Sequence, residues 1–246
     1  MTEEIFRSDA YARQCTATVL SVGEQGIVLD RTVFYPQGGG QAGDSGMLVL
    51  SNGTELNIAD TRKRKDDEGR PTHQICHVPA DGQQQALMNI KPGDAVAAHI
   101  AWDRRHRLMR FHTTTHLLCH LVPRLVNGCS ITADYARLDF NMTDPLDRDA
   151  LTAGIAALVA ASLPVAVGSI SEDELDANPA LVKSMSVQPP RGTGRIRTIR
   201  IGDEQLIDFQ PCGGTHVGNT AEIGKVVVTK LEKKSATTRR VVLGFA

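Results

Sequence analysis

Over the first hundred residues the apolar positions come in short runs or alternate with polar ones. TATVLSV (16–22), GIVLD (26–30), GMLVL (46–50), ELNIAD (55–60) and QICHV (74–78) are rich in β-branched residues. The turn-forming stretches GEQG, SNGT and PADG punctuate them. Such runs predict strands, and short strands at this spacing predict a small barrel or compact sandwich. KPGDAVAAHIAW (91–102) reads as a turn followed by one last strand. The period then changes. In RRHRLMRFHTTTHLLCHLVPRLV (104–126), Leu108, Phe111, Leu117, Leu118 and Leu121 recur at helical spacing, and Pro123 falls near the end. DPLDRDALTAGIAALVAASL (144–163) predicts a second helix, with Asp144 as its N-cap and Pro145 in the first turn. PVAVGSIS, GRIRTIRIG and EIGKVVVTKLEKK read as further strands. The change from β to mixed α and β places a boundary near Trp102–Arg104, and no internal repeat is present.

Within the first predicted helix, His112 and His116 are four residues apart and lie one above the other. Two imidazoles so placed can share a metal ion. The residues between them are Thr113, Thr114 and Thr115, so no carboxylate is present to act as a protease base. Cys119 and His120 lie near the same stripe and are not excluded as ligands by periodicity. A second pair with the same spacing, Cys212 and His216, occurs in QPCGGTHVG (210–218). Taken alone, each pair has an ordinary explanation: core or solvated histidines for one, a tight turn with a buried thiol for the other. Together they make an N/S donor set that suits Zn²⁺ better than the oxygen-seeking Mg²⁺ or Ca²⁺. His73 and His77, in a predicted strand, share a face without needing a metal.

Composition adds constraints. The 246 residues carry a formal net charge of −1, so any contact with a polyanion rests on local basic clusters. The start, MTEEIFRSDA, has neither an apolar run nor a basic leader, and no apolar stretch reaches the roughly 18–20 residues that span a membrane. Five scattered cysteines then read as reduced thiols, and a cytoplasmic location is expected. The basic clusters are RKRK (62–65), read as a loop; Arg104, Arg105, Arg107 and Arg110; Arg191, Arg195, Arg197 and Arg200; and Lys233, Lys234, Arg239 and Arg240. They are expected to line a phosphate-tracking groove whose binding weakens with salt.

HTTTHLL (112–118) followed about a hundred residues later by CGGTH (212–216) resembles the editing domain of alanyl-tRNA synthetase and its free-standing AlaX relatives. TVFYPQGGGQAGDSG (32–46) resembles that family's glycine-rich segment, ARLDF (136–140) its RFDF strand, and EIGKVVVTKLEKKSATTRRV (222–241) its C-terminal stretch. The resemblance covers nearly the whole chain and implies an α+β fold. A small N-terminal β-barrel carrying the glycine-rich segment (1–103) would precede a two-layer α/β, zinc-binding tRNA-editing domain (104–246). It implies Zn²⁺ on His112, His116, Cys212 and His216, which demotes Cys119 and His120 to packing. It also implies hydrolysis of the ester between a wrong amino acid and alanine tRNA, serine first and glycine second, with no DNA or membrane partner. By the same resemblance Thr32 is the candidate for reading the serine hydroxyl. Gly38, Gly39 and Gly40 would form a backbone cradle or lid over the substrate. Thr115 is a candidate for positioning water or the terminal ribose. Asp208, in LIDFQPCGG, could accept from a ligand imidazole, although a solvated strand carboxylate is the simpler expectation. The segment between His116 and Arg137 is shorter than in most synthetase versions; NGCS (127–130) stands where a glutamine is often found. Two other functions fit parts of the same set: a zinc hydrolase of this fold acting on another ester, and a non-catalytic RNA-binding module with a structural zinc.

Overall fold

The computed structural model describes residues 2–189, 191, 192 and 194–246. Its elements are mixed α and β, and they fall into two units: Met1–Gly38 with Ala42–His106, and Gly39–Gln41 with Arg107–Ala246. The expected boundary at 103/104 therefore lies in the first turn of a continuous helix, α1 (Trp102–Leu121), and Gly39–Gln41 belongs with the second unit.

In the first unit six strands pair antiparallel: β1 (Gln14–Gly23), β2 (Gly26–Leu29), β3 (Gly46–Leu50), β4 (Glu55–Lys65), β5 (Pro71–Pro79) and β6 (Ala95–Ile100). Their order is β1-β2-β5-β4-β3-β6, and β6 pairs back with β1 to close a barrel. Alternation decides which side chains face inward. Ala17 and Val19 of β1, Leu48 and Leu50 of β3, and Val96, Ala98 and Ile100 of β6 are buried, with Leu29, Phe34, Leu56 and Ile58 completing the core. Fully burying an aliphatic side chain of this size contributes roughly 1.5–3 kcal/mol. RKRK is the end of strand β4 rather than a loop. The arginines at 104 and 105 do not form an exposed pair either. Arg105 is fully buried, with Nε 2.9 Å from Asp44 Oδ2 and Nη2 2.6 Å from the Val33 carbonyl. Asp44 Oδ2 also accepts the Tyr35 N–H at 2.6 Å, which fixes that carboxylate within the glycine-rich segment.

Thr32 and His77 are also fully buried in this unit. His77 Nδ1–H donates to the Ile27 carbonyl at 2.9 Å, so Nε2 is the acceptor for the Thr32 hydroxyl at 2.8 Å. The same hydroxyl oxygen accepts the Phe34 N–H at 3.0 Å. His73 is exposed, so the two strand histidines do not share a surrounding. Burial, against which the Ile27 bond works only weakly, pushes the His77 imidazole down to about 4. In the unfolded chain a histidine titrates near 6.5, so the fold binds fewer protons between these values and loses stability as pH falls through them. Chemical denaturation is therefore expected to show a drop of about 2 kcal/mol attributable to His77 between pH 7 and pH 5. His77→Gln should remove that part of the dependence; an unchanged pH profile in the variant would rule the assignment out.

The second unit is built on α1. Leu108, Phe111, Leu117 and Leu118 are buried as expected and Leu121 is half-buried, but Met109 is buried too and residues 111–119 are enclosed on every side, so α1 is a central helix rather than one with a single buried stripe. A four-stranded sheet contains β7 (Val126–Ile131), β8 (Ala136–Asn141), β12 (Val226–Ser235) and β13 (Thr238–Phe245), in the order β12-β13-β8-β7. A three-stranded sheet holds β9 (Val165–Ser171), β10 (Arg195–Ile201) and β11 (Asp208–Pro211) in sequence order. In β8, Ala136, Leu138 and Phe140 point into the core, while Asp139 on the other face binds Arg240 at 2.7 and 2.8 Å. Helix α2 (Arg148–Ala160) packs on β12. Its N-cap is Asp147, which accepts from the Asp149 and Ala150 N–H groups at 2.9 Å, not Asp144 three residues earlier. Among the described residues no helix is long and apolar enough to cross a membrane.

Candidate metal centre

Four metal-ligating side chains of the second unit meet where α1 faces the loop after β11. His112 and His116 project from one face of α1 because they are one turn apart. Strand β11 ends at Pro211, and the chain turns through Cys212–Gly214 to bring Cys212 and His216 to the same point. One ligand atom from each of the four residues lies within 4.8 Å of every other, and three of the residues are buried. Cys212 Sγ is 3.4 Å from His112 Nε2 and 3.3 Å from His216 Nε2. Ligands on a tetrahedron with Zn–S and Zn–N bonds near 2.3 and 2.0 Å are separated by roughly 3.5 Å, so the spacing and the donor chemistry both suit a divalent ion. Cys119 and His120 lie outside this group: Cys119 is buried among apolar side chains, where burial pushes its thiol up to about 12, and His120 is exposed.

Each imidazole is held through its other nitrogen. His112 Nδ1–H donates to Gln41 Oε1 at 2.7 Å. His116 Nδ1–H donates to Asp208 Oδ2 at 2.7 Å. His216 Nδ1 lies 3.2 Å from the Thr113 hydroxyl, which also accepts the Val217 N–H. These partners fix the tautomer that leaves Nε2 facing the centre. Gln41 is itself pinned: its Oε1 accepts the Thr215 N–H at 3.1 Å and its Nε2 donates to Thr215 Oγ1 at 2.9 Å. Asp208 is fully enclosed, so the expectation of a solvated strand carboxylate fails. Its Oδ1 pairs with Lys183, and its Oδ2 also accepts from Gln210 Nε2 at 2.8 Å.

The shifts of Cys212 and His216 favour ligation, whereas that of His116 favours its protonated form, which must release a proton to bind a metal. Burial works against the Cys212 thiolate, yet the imidazoles of His112 and His216 hold the thiol well below its ordinary range, favouring the thiolate that binds metals. Burial followed by the charge of His112 pushes His216 down to about 3, the neutral imidazole that can ligate. Burial would raise Asp208, but the His116 hydrogen bond and the charge of Lys183 carry it to about 2. Burial would lower His116; the Asp208 bond, then Cys212, carry it up to about 9.

The remaining expected site residues are placed as follows. Thr115 donates to the His112 carbonyl within the helix at 2.7 Å, as Thr114 does to that of Arg110 at 2.8 Å. Of the three threonines, Thr113 is the one whose hydroxyl reaches a ligand imidazole. Gly39 and Gly40 have φ of +58° and +85°, conformations open to glycine. Gly40 lies so close to β7 that a Cβ would stand 2.8 Å from Cys129 Sγ, and its carbonyl accepts the Ile131 N–H at 2.7 Å. That part of the glycine run is a docked segment rather than a free turn, and the docking delivers Gln41 to His112. In the first unit the Gly38 carbonyl accepts the Tyr35 hydroxyl at 2.8 Å, and the Thr32 hydroxyl is taken up by His77. Several of the arginines expected to track phosphate are engaged internally. Arg107 and Arg110 donate to the carbonyls of Ala133 and Ile223 and stack on Phe245, and Arg197 donates to the Cys212 carbonyl at 2.6 Å.

Residues 196–242 match the family described as the threonyl and alanyl tRNA synthetase second additional domain, and residues 5–104 match class II (A) tRNA synthetases. The alanyl-tRNA editing protein AlaX-M of Methanosarcina barkeri is 36% identical over 98% of this chain and 97% of its own. The AlaX-M protein of Saccharolobus solfataricus is 31% identical over 98% of both. The alanine–tRNA ligase of Saccharolobus islandicus is 29% identical over 94% of this chain but only 25% of its own length. The chain thus matches the AlaX-M proteins along nearly their whole length and the ligase along a quarter of its own. The chain belongs to the AlaX-M family of alanyl-tRNA editing proteins.

Proposed function

We propose that this protein is a trans-editing deacylase: it hydrolyses the ester joining serine, and secondarily glycine, to the 3′ end of alanine tRNA, with Zn²⁺ as its metal. The observation that carries the reading is the convergence of His112, His116, Cys212 and His216, each imidazole held at Nδ1 by a separate partner. Three nitrogens and one sulfur gathered within 4.8 Å of one another favour zinc over cations that seek oxygen. When bound, the ion supplies a fixed positive charge for the aminoacyl end of the substrate. The chain supplies position. Gln41, Asp208 and Thr113 hold the three rings, and Thr115, its own proton committed to the His112 carbonyl, is left as an acceptor for a water or ribose hydroxyl. We assign Gly38, Gly39 and Gly40 to the backbone wall beside the acyl group.

Discrimination follows from hydroxyl recognition. A synthetase pocket made for alanine rejects an added hydroxyl poorly. A second site that bonds the serine hydroxyl leaves its own polar group unpaired when alanine enters. We assign that contact to Thr32, whose hydroxyl oxygen would accept from the serine hydroxyl with its remaining lone pair while still donating to His77. Purified protein incubated with seryl-, glycyl- and alanyl-tRNA is expected to release serine fastest and to spare alanine. Equal rates on the seryl and alanyl forms, or no release of serine, would overturn the proposal. Rapid turnover of a small ester without RNA would replace it with a hydrolase of another substrate.

A further inference from the structure

We propose that Lys183 is a positioning residue for the metal centre, acting through Asp208 on His116. This rests on the reading that the four-residue cluster holds a divalent ion. The Asp208 side chain has no exposure to solvent, while Lys183 retains 26% of its own. Lys183 Nζ takes Asp208 Oδ1, which turns Oδ2 toward His116 Nδ1 at 2.7 Å and Gln210 Nε2 at 2.8 Å. The lysine is not loosely placed. Its carbonyl accepts the Val126 N–H at 2.8 Å, and the Met185 N–H donates back to the Val126 carbonyl at 2.9 Å, so strand β7 anchors the backbone on both sides of Ser184. Without the ammonium group the carboxylate would be a buried charge with a free oxygen and a free torsion. It would then bind His116 less consistently.

His116 is the only ligand imidazole whose hydrogen-bond partner is a carboxylate; His112 has an amide and His216 a hydroxyl. A carboxylate raises the basicity of the ring it holds. Lys183 shares the charge of that carboxylate, and so sets both the direction and the strength of its pull on His116. The position lies 25 residues from Asp208 and 67 from His116, and no local motif marks it.

The test is metal retention. Wild type, Lys183→Met, Lys183→Arg and Asp208→Asn are loaded with zinc, and transfer to a competing chelator is followed, with far-UV circular dichroism on each loaded protein. Lys183→Met is expected to hold zinc about 10- to 100-fold more weakly, as loss of an outer partner does in other metal sites, and Asp208→Asn at least as weakly. Lys183→Arg, which keeps a cation there, should recover most of the loss. In the cobalt-substituted proteins the visible spectrum should shift in the methionine variant and return in the arginine variant. Equal zinc retention in wild type and Lys183→Met would overturn this inference and leave the metal-centre reading intact. A wild-type protein that takes up no zinc or cobalt would overturn both. If the methionine variant does not fold, the arginine variant decides: retention no better than that of Asp208→Asn rejects the role.

Discussion

Cys212→Ala is expected to lose its divalent ion and to deacylate seryl-tRNA about a thousandfold or more slowly than wild type, with its secondary structure intact. Two observations set the size of the effect. Cys212 is the donor whose sulfur lies between two ligand imidazoles, at 3.3 and 3.4 Å. It is also the one donor expected to bring a full negative charge, since His112 and His216 hold its thiol far below the ordinary range despite burial. Removing it leaves three imidazoles facing one another, with ring centroids 4.3 to 5.5 Å apart and no anion among them. A metal that contributes several kcal/mol to the transition state corresponds to about three orders of magnitude in rate. His112→Ala should cost a similar factor, and the double variant little more, because groups acting as one unit are not additive. Metal analysis together with single-turnover release of serine checks all three. Normal zinc content, or a rate within tenfold of wild type, would remove Cys212 from the centre. A folded wild type alongside an unfolded Cys212→Ala would assign the ion a structural role instead.

The ligand pairs were legible in the sequence because each obeys a local rule: two residues four apart on a predicted helix, and two residues four apart around a pair of glycines. The strands of the first hundred residues and both long helices were legible for the same reason, since period and turn chemistry are local. Most of what holds the ligands escaped: Gln41 and Thr113 do not read as partners, and Asp208 does so only as the less simple of two readings. Gln41 lies 71 residues from His112, Asp208 lies 92 from His116, and Thr113 lies 103 from His216. These are pairings between remote segments, and periodicity contains no information about them. Gln41 did carry one signal. It follows directly on a glycine run, and a run of that kind is used where backbones approach closely. The charged residues misled in the opposite direction. Arg105 reads as one of four surface arginines, yet it lies fully buried against Asp44, because the chain folds a carboxylate from 61 residues earlier against it. Asp208 reads as a strand carboxylate for solvent, yet His116 and Lys183 enclose it. Asp144 and Asp147 both precede the second helix; only the structure shows which one the first turn reaches.

Gly214→Ala is expected to damage the centre nearly as much as losing a ligand, although it removes no polar atom. A methyl group built at Gly214 would stand 2.1 Å from His112 Cε1, 2.4 Å from its Nδ1 and 2.9 Å from Gln41 Oε1. No rotation of the methyl relieves contacts this short, so either the His112 ring swings out or the Cys212–His216 loop backs away. A swing of the ring breaks the 2.7 Å bond between His112 and Gln41, and either movement separates Cys212 Sγ from His112 Nε2. Overpacking of this kind costs about 1–3 kcal/mol of stability. A displacement of about 1 Å at a reacting group costs about a hundredfold in rate. The variant should therefore remain folded at 25 °C, release zinc to a chelator about 10- to 100-fold more readily, and deacylate seryl-tRNA at about one hundredth of the wild-type rate or less. Gly213→Ala, one residue away in the same loop, is the comparison that separates loop stiffness from collision with His112. If both alanines cost the same, the loss comes from the loop. If Gly214→Ala retains zinc and rate, then the close approach of this loop to the His112 ring is not what sets the geometry of the site.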